Sequence, residues 1–229
     1  MQNHTTLNVL LMVSTLYVPP VKVGNAVTEC SIVLLYFLSD EVFTVLSLEP
    51  NIYLKSEYEK TLGDFIKSGK VTVLNLAVSD EDGEGELSLA SGINSLDERF
   101  LEVVFPENIV SSKLLVSVRR LSRILEEREI VSVGFLKIDA EGCDCRILRE
   151  LFDSGKVRPV VVMFEAVEDF PERAMESLSV LTANGYTEFL AFIKYGDELL
   201  ATSHFDGKSL PDIWRTYPGK HFYVNVVAQ

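Results

Sequence analysis

The chain has 229 residues, 47% hydrophobic and 24% charged, a composition that excludes disordered, collagen-like and fibrous classes and leaves ample length for a buried core. Its formal charge of -13 at pH 7, with no basic cluster to reverse it locally, sets the surface against phosphate backbones, so nucleic acid is not an expected partner. Cys30, Cys143 and Cys145 are too few, and odd in number, for a disulfide framework, which points to a reducing, cytoplasmic compartment.

Residues 1–21 carry no Lys, Arg, Asp or Glu. Their apolar run is too short to span a bilayer, no basic residue precedes it and no small-residue cleavage pattern follows, so membrane insertion is not expected. The run reads as a buried strand or short helix of the fold, with 1–15 a short lead-in to a single domain covering 1–229.

From there, short apolar runs alternate with helix-like segments. That is the pattern of a mostly parallel sheet with helices on both faces. Strands are expected at 16–23, 42–48, 71–77, 135–139 and 160–165, where Val, Leu and Ile run continuously as in strands buried on both sides. Helices are expected at 28–38, 54–68, 118–129, 143–152 and 173–184, the last stopped by Asn184-Gly185. An acidic turn leads into a short strand at 85–90, and 91–117 shows no clear period and reads as a loop-rich connection. Residues 190–203 and 221–229 read as an antiparallel C-terminal hairpin.

In an open α/β sheet, ligands gather beyond the carboxyl ends of the strands. Gly24, after the first expected strand, permits a tight turn into a helix whose free N–H groups could face an anion; an ordinary strand-to-helix turn explains it equally well. Glu49 follows 25 residues later, at the end of the second, where a nucleotide-binding sheet places its ribose-hydroxyl acceptor; Pro50 fixes its direction. Ala77 and Val78 could line an apolar slot, with Ser79 and Asp80 offering polar contacts. Asp139 and Glu141 end the fourth strand before Gly142, either as a functional pair or as a helix cap, with Lys137 able to neutralise one of them. Glu165 ends the fifth. The Cys143-Asp144-Cys145 run lacks a second ligand pair and reads as incidental helix or turn content. His204, His221 and Trp214 read as structural or surface residues.

Taken together, "LEPN", "VTVLNLAVSDEDGEGEL", "FLKIDAEGCDCRILREL" and "PVVVMFE" resemble the FkbM family of methyltransferases, over roughly residues 18–165. The Lys-Ile-Asp-x-Glu-Gly run is the most specific mark. The resemblance implies a class I methyltransferase fold, S-adenosylmethionine as methyl donor, and transfer to a hydroxyl of a sugar, glycan or small-molecule natural product. It implies Gly24 and Asn25 in the cofactor loop, Glu49 with Asn51 at the ribose, Ala77, Val78, Ser79 and Asp80 around the adenine, and Asp139, Glu141 and Glu165 on the acceptor side. A metal-free reaction is expected ahead of one in which the three acids hold a divalent ion. The family's loop departs here, with Lys22 in place of an acid and Thr28 in place of a glycine. The alternative function is therefore a non-catalytic methyltransferase-like protein with a degenerate cofactor loop, serving as a binding or assembly module.

Overall fold

The computed structural model describes residues 8–14, 43–90, 93–107, 110–195, 198–216 and 222–229. The expected strand 16–23 and helix 28–38 lie outside these residues, and so do Lys22, Gly24, Asn25, Thr28, Cys30 and His221. The first half runs β1 (Asn8–Ser14), β2 (Phe43–Leu48), a 3-10 turn (Ile52–Leu54), α1 (Lys55–Lys67), β3 (Val71–Leu74), β4 (Ala77–Ser79), β5 (Gly83–Ala90), β6 (Ile93–Ser95) and α2 (Glu98–Val104). The second half runs β7 (Ser112–Arg120), α3 (Leu121–Glu127), β8 (Val133–Asp139), α4 (Asp144–Asp153), β9 (Val161–Ala166), α5 (Pro171–Ala183), β10 (Phe189–Tyr195), β11 (Glu198–Phe205), α6 (Leu210–Thr216) and β12 (Phe222–Ala228).

An eight-stranded sheet has the order β11-β10-β12-β9-β8-β1-β2-β3. The run from β9 to β3 is parallel, while β12, β10 and β11 add on antiparallel. A separate four-stranded sheet, β4-β7-β5-β6, pairs β4 with β7 parallel and its other strands antiparallel. The architecture is thus mixed rather than mostly parallel. The C-terminal hairpin is β10–β11, and β12 inserts between β10 and β9.

Alternation along the strands sorts the main sheet into two faces. Leu46, Leu48, Leu136, Ile138, Val162 and Phe164 face a core built with α3, α4 and α5, where Leu121, Ile147, Leu148 and Leu178 are almost fully buried. Val45, Val71 and Phe135 face the other way, against Leu62, Phe65 and Ile66 of α1. Helices therefore cover both faces, and the fold rests on two apolar layers.

Four expectations need correction. β1 is the strand that the apolar run in residues 1–21 was expected to form, but it lies inside the main sheet, between β8 and β2, rather than in a lead-in. The expected strand 71–77 breaks at Asn75, whose side chain donates to the carbonyls of Glu49 and Pro50 (2.9 and 3.2 Å) and leaves the ladder; β4 then joins the second sheet. The expected loop 91–117 contains β6, α2 and most of β7. The helix expected from 118 starts only at Leu121, because Val118, Arg119 and Arg120 pair with β4 and Asp82 accepts the Arg120 N–H at 3.0 Å. Trp214 is buried in the main core, as a structural residue would be.

Candidate functional site

The strand order reverses at β1: β2 and β3 lie on one side, β8 and β9 on the other. Such a reversal opens a crevice at the carboxyl ends of the strands. Leu48 of β2 and Ile138 of β8 both pair with Val13, from opposite sides of β1. Two strand spacings of about 4.8 Å therefore place their backbones about 10 Å apart, and the next residues, Glu49 and Asp139, flank the tip of β1. Both project to the α1 face, since Leu48 and Ile138 point to the other.

Glu49 is 0% exposed. Its Oε1 accepts the Asn51 N–H at 2.7 Å, and Asn51 Oδ1 accepts the Tyr53 N–H at 3.0 Å, which tightens the bend after β2. Tyr58 of α1 lies beside Glu49; burial, and then the Glu49 charge, push its hydroxyl pKa upward, so it stays protonated. An apolar cleft of about 310 Å³, partly open to solvent, runs from Leu48 and Pro50 to Ala77, Val78, Ala140 and Cys143. Burial raises the Cys143 thiol to about 11, so it presents a neutral wall. Ser79 donates to Asp80 at 2.9 Å at the end of β4.

Asp139, Glu141 and Glu165 come together: each offers a carboxylate oxygen, and these oxygens all lie within 4.8 Å of one another. Strand geometry explains two of them. Ile138 pairs with Phe164, so Asp139 and Glu165 follow side by side on the same face of adjacent strands. Lys137, two residues before Asp139 and 5% exposed, donates to Asp139 Oδ2 at 2.7 Å. Glu141 is brought in by the bend, with φ 47°, a left-handed conformation rare outside glycine. That bend is pinned from outside. Ser95 donates to the Glu141 carbonyl (2.6 Å) and Arg173 Nη1 to the Gly142 carbonyl (3.0 Å), while Arg173 also pairs with Asp97 at 2.8 Å. The Glu141 carboxyl is held well above the usual range by burial and then by the charge of Glu165.

Sequence reasoning missed Asp144. This buried residue accepts the Ala140 N–H (2.9 Å) on one oxygen and the Glu165 N–H (3.4 Å) on the other, so it straps the tips of β8 and β9 together. Burial, then the Asp139 charge, raise its pKa to about 7. Its signal was an acid at the first position of a helix, five residues past the strand tip, overlooked among the cysteines around it. Beyond the acids, Phe100 of α2 and Val167 and Phe170 after β9 wall a second hollow of about 340 Å³ that reaches Glu165, Asp144 and Gly142. The expected Gly24 and Asn25 are outside the described residues.

The reversal of strand order, with an apolar cleft and grouped acids at the same rim, is where open α/β sheets place their ligands. The methyltransferase FkbM domain model matches residues 23–194, most of the chain, and the protein belongs to that family. Among solved structures, a methyltransferase FkbM from Methylobacillus flagellatus KT matches at 11% identity, covering 97% of this chain and 44% of that one, with a TM-score of 0.49. A precorrin-6y C5,15-methyltransferase from Geobacter metallireducens GS-15 matches at 10% identity over 97% and 79% of the two chains, with a TM-score of 0.45. No curated protein matches. Among the described residues, no helix is long and apolar enough to cross a membrane.

Proposed function

We propose that the chain acts as one methyltransferase-like domain, S-adenosylmethionine-dependent, methylating a hydroxyl of a sugar, glycan or other small-molecule acceptor. One observation carries this: Glu49 and the group of Asp139, Glu141 and Glu165 flank the strand-order reversal on one face and one rim of the sheet. S-adenosylmethionine would supply an electrophilic methyl group on a positively charged sulfonium. Glu49 would accept from the two ribose hydroxyls, with Asn51 holding the bend behind it. Ala77 and Val78, with Leu48 and Pro50, would form the slot for the adenine, and Ser79 and Asp80 its polar edge. Gly24 and Asn25 retain their proposed place in the donor loop. The acid group would attract the cationic end of the donor, receive the acceptor hydroxyl and take up its proton, while the rigid strand tips hold acceptor and methyl in line.

The residues fit such a donor in kind: a carboxylate beside an apolar slot, with acids about two strands away. Complete burial of Glu49 favours the second reading, a non-catalytic binding module, because a ribose reaches that carboxylate only if its cover yields. Thermal denaturation with S-adenosylmethionine and with its demethylated product separates the two. Ligand at about 100 times Kd should stabilise the protein by roughly 2.7 kcal/mol. An unchanged melting temperature with both compounds, together with silent calorimetry, rules out the methyltransferase proposal.

A further inference from the structure

We infer that Asp139, Glu141 and Glu165 form a binding site for one hard divalent cation of the Mg2+, Mn2+ or Ca2+ type. Its role in catalysis, holding the acceptor oxygen and lowering its pKa, rests on the methyl-transfer reading; the ion site itself does not. The three side chains offer oxygens within 4.8 Å of one another. Ligands on a six-coordinate ion lie about 3 to 4.2 Å apart for Mg2+ and about 3.4 to 4.8 Å apart for Ca2+, so one ion fits among them with small side-chain adjustments. All three ligands are carboxylates, which selects hard cations over zinc or copper.

A second observation is independent of the clustering. Glu141 Oε2 is shut off from solvent and has no hydrogen-bond partner among the described residues. The residue as a whole is half-buried, with this oxygen at its enclosed end. Buried carboxylates are paired or coordinate metals, and this one is aimed at two other acids. Lys137 pairs with Oδ2 of Asp139; with all three carboxylates ionised, as a bound ion would hold them, one ammonium leaves a formal charge of -2, which one divalent ion cancels.

The test uses the full chain, treated with chelator, with Mn2+ titrated by electron paramagnetic resonance and no methyl donor present. We expect one Mn2+ per chain, competed by Mg2+ or Ca2+, and a melting temperature that rises with the ion. Glu141→Gln and Glu165→Gln should each weaken binding roughly tenfold or more, with circular dichroism unchanged. Asp139→Asn serves if either of these fails to fold. No bound Mn2+ at about 5 mM overturns the proposal, as does binding that survives both substitutions; the three acids would then share protons instead. Donor binding without ion binding overturns this proposal alone, and ion binding without donor binding overturns only the methyl-transfer reading.

Discussion

The Phe100 ring fills the space that a side chain on Gly142 would need: a Cβ there would lie 2.7 Å from Cδ2 of the ring and 2.8 Å from Arg173 Nη1. Gly142 also has φ +97°, so an added side chain meets both strain and a packed aromatic. Gly142→Ala should cost about 2–4 kcal/mol in urea unfolding. Gly69→Ala, at φ +77° with nothing within 4 Å, is the control and should cost about 1 kcal/mol. Equal losses at the two positions would mean that Phe100 does not wedge the bend carrying Glu141.

Asp144 ties two strand tips through backbone N–H groups, so its loss should be felt at the site rather than across the core. Asp144→Ala leaves the Ala140 and Glu165 N–H groups without their acceptor and should destabilise by about 2–3 kcal/mol. Amide hydrogen exchange should quicken at Ala140 and Glu165, while Leu136 and Phe164 keep their protection. Uniform acceleration through β8 and β9 would assign Asp144 to the core instead.

Asp82 offers a pH signature. It accepts the Arg120 N–H, and its Oδ2 pairs with Arg120 at 3.1 Å and Arg123 at 3.0 Å. The Arg120 backbone bond leads in lowering its pKa to about 2. A carboxylate whose pKa is depressed in the folded state stabilises above its unfolded value, near 3.8, and loses that contribution as pH falls toward about 2. Asp82→Asn should therefore lower the neutral-pH melting temperature and flatten its decline between pH 4 and 2. A parallel curve displaced at every pH would place the acid sensitivity elsewhere.

The parallel half of the main sheet was legible because strands buried on both faces write continuous apolar runs, as at β2, β8 and β9. The second sheet was not. Its strand β7 carries Ser112, Lys113, Arg119 and Arg120 beside its apolar residues, and its ending is decided by Asp82, 38 residues away from Arg120. No local period shows such a partner. The grouping of Asp139, Glu141 and Glu165 followed from strand ends alone, and sequence ranked a metal-free role for them first. What it could not show was that Glu141 Oε2 would be buried without a hydrogen-bond partner, because that depends on Ser95 and Arg173 pinning the bend from distant segments.

A single substitution can separate the bracing task of Glu49 from its proposed ribose-holding role. Its Oε1 anchors the Asn51 N–H in a fully buried place, so Glu49→Ala should cost about 1–3 kcal/mol of stability whatever the protein binds. Glu49→Gln keeps an oxygen for that N–H but loses the charged pair of acceptors that two ribose hydroxyls require. Its stability should fall within about 1 kcal/mol of the parent, while affinity for S-adenosylmethionine drops by about tenfold or more in calorimetry. Unchanged donor affinity in Glu49→Gln would leave Glu49 as a brace for the bend after β2, and the ribose would have to be held by another residue of the same rim.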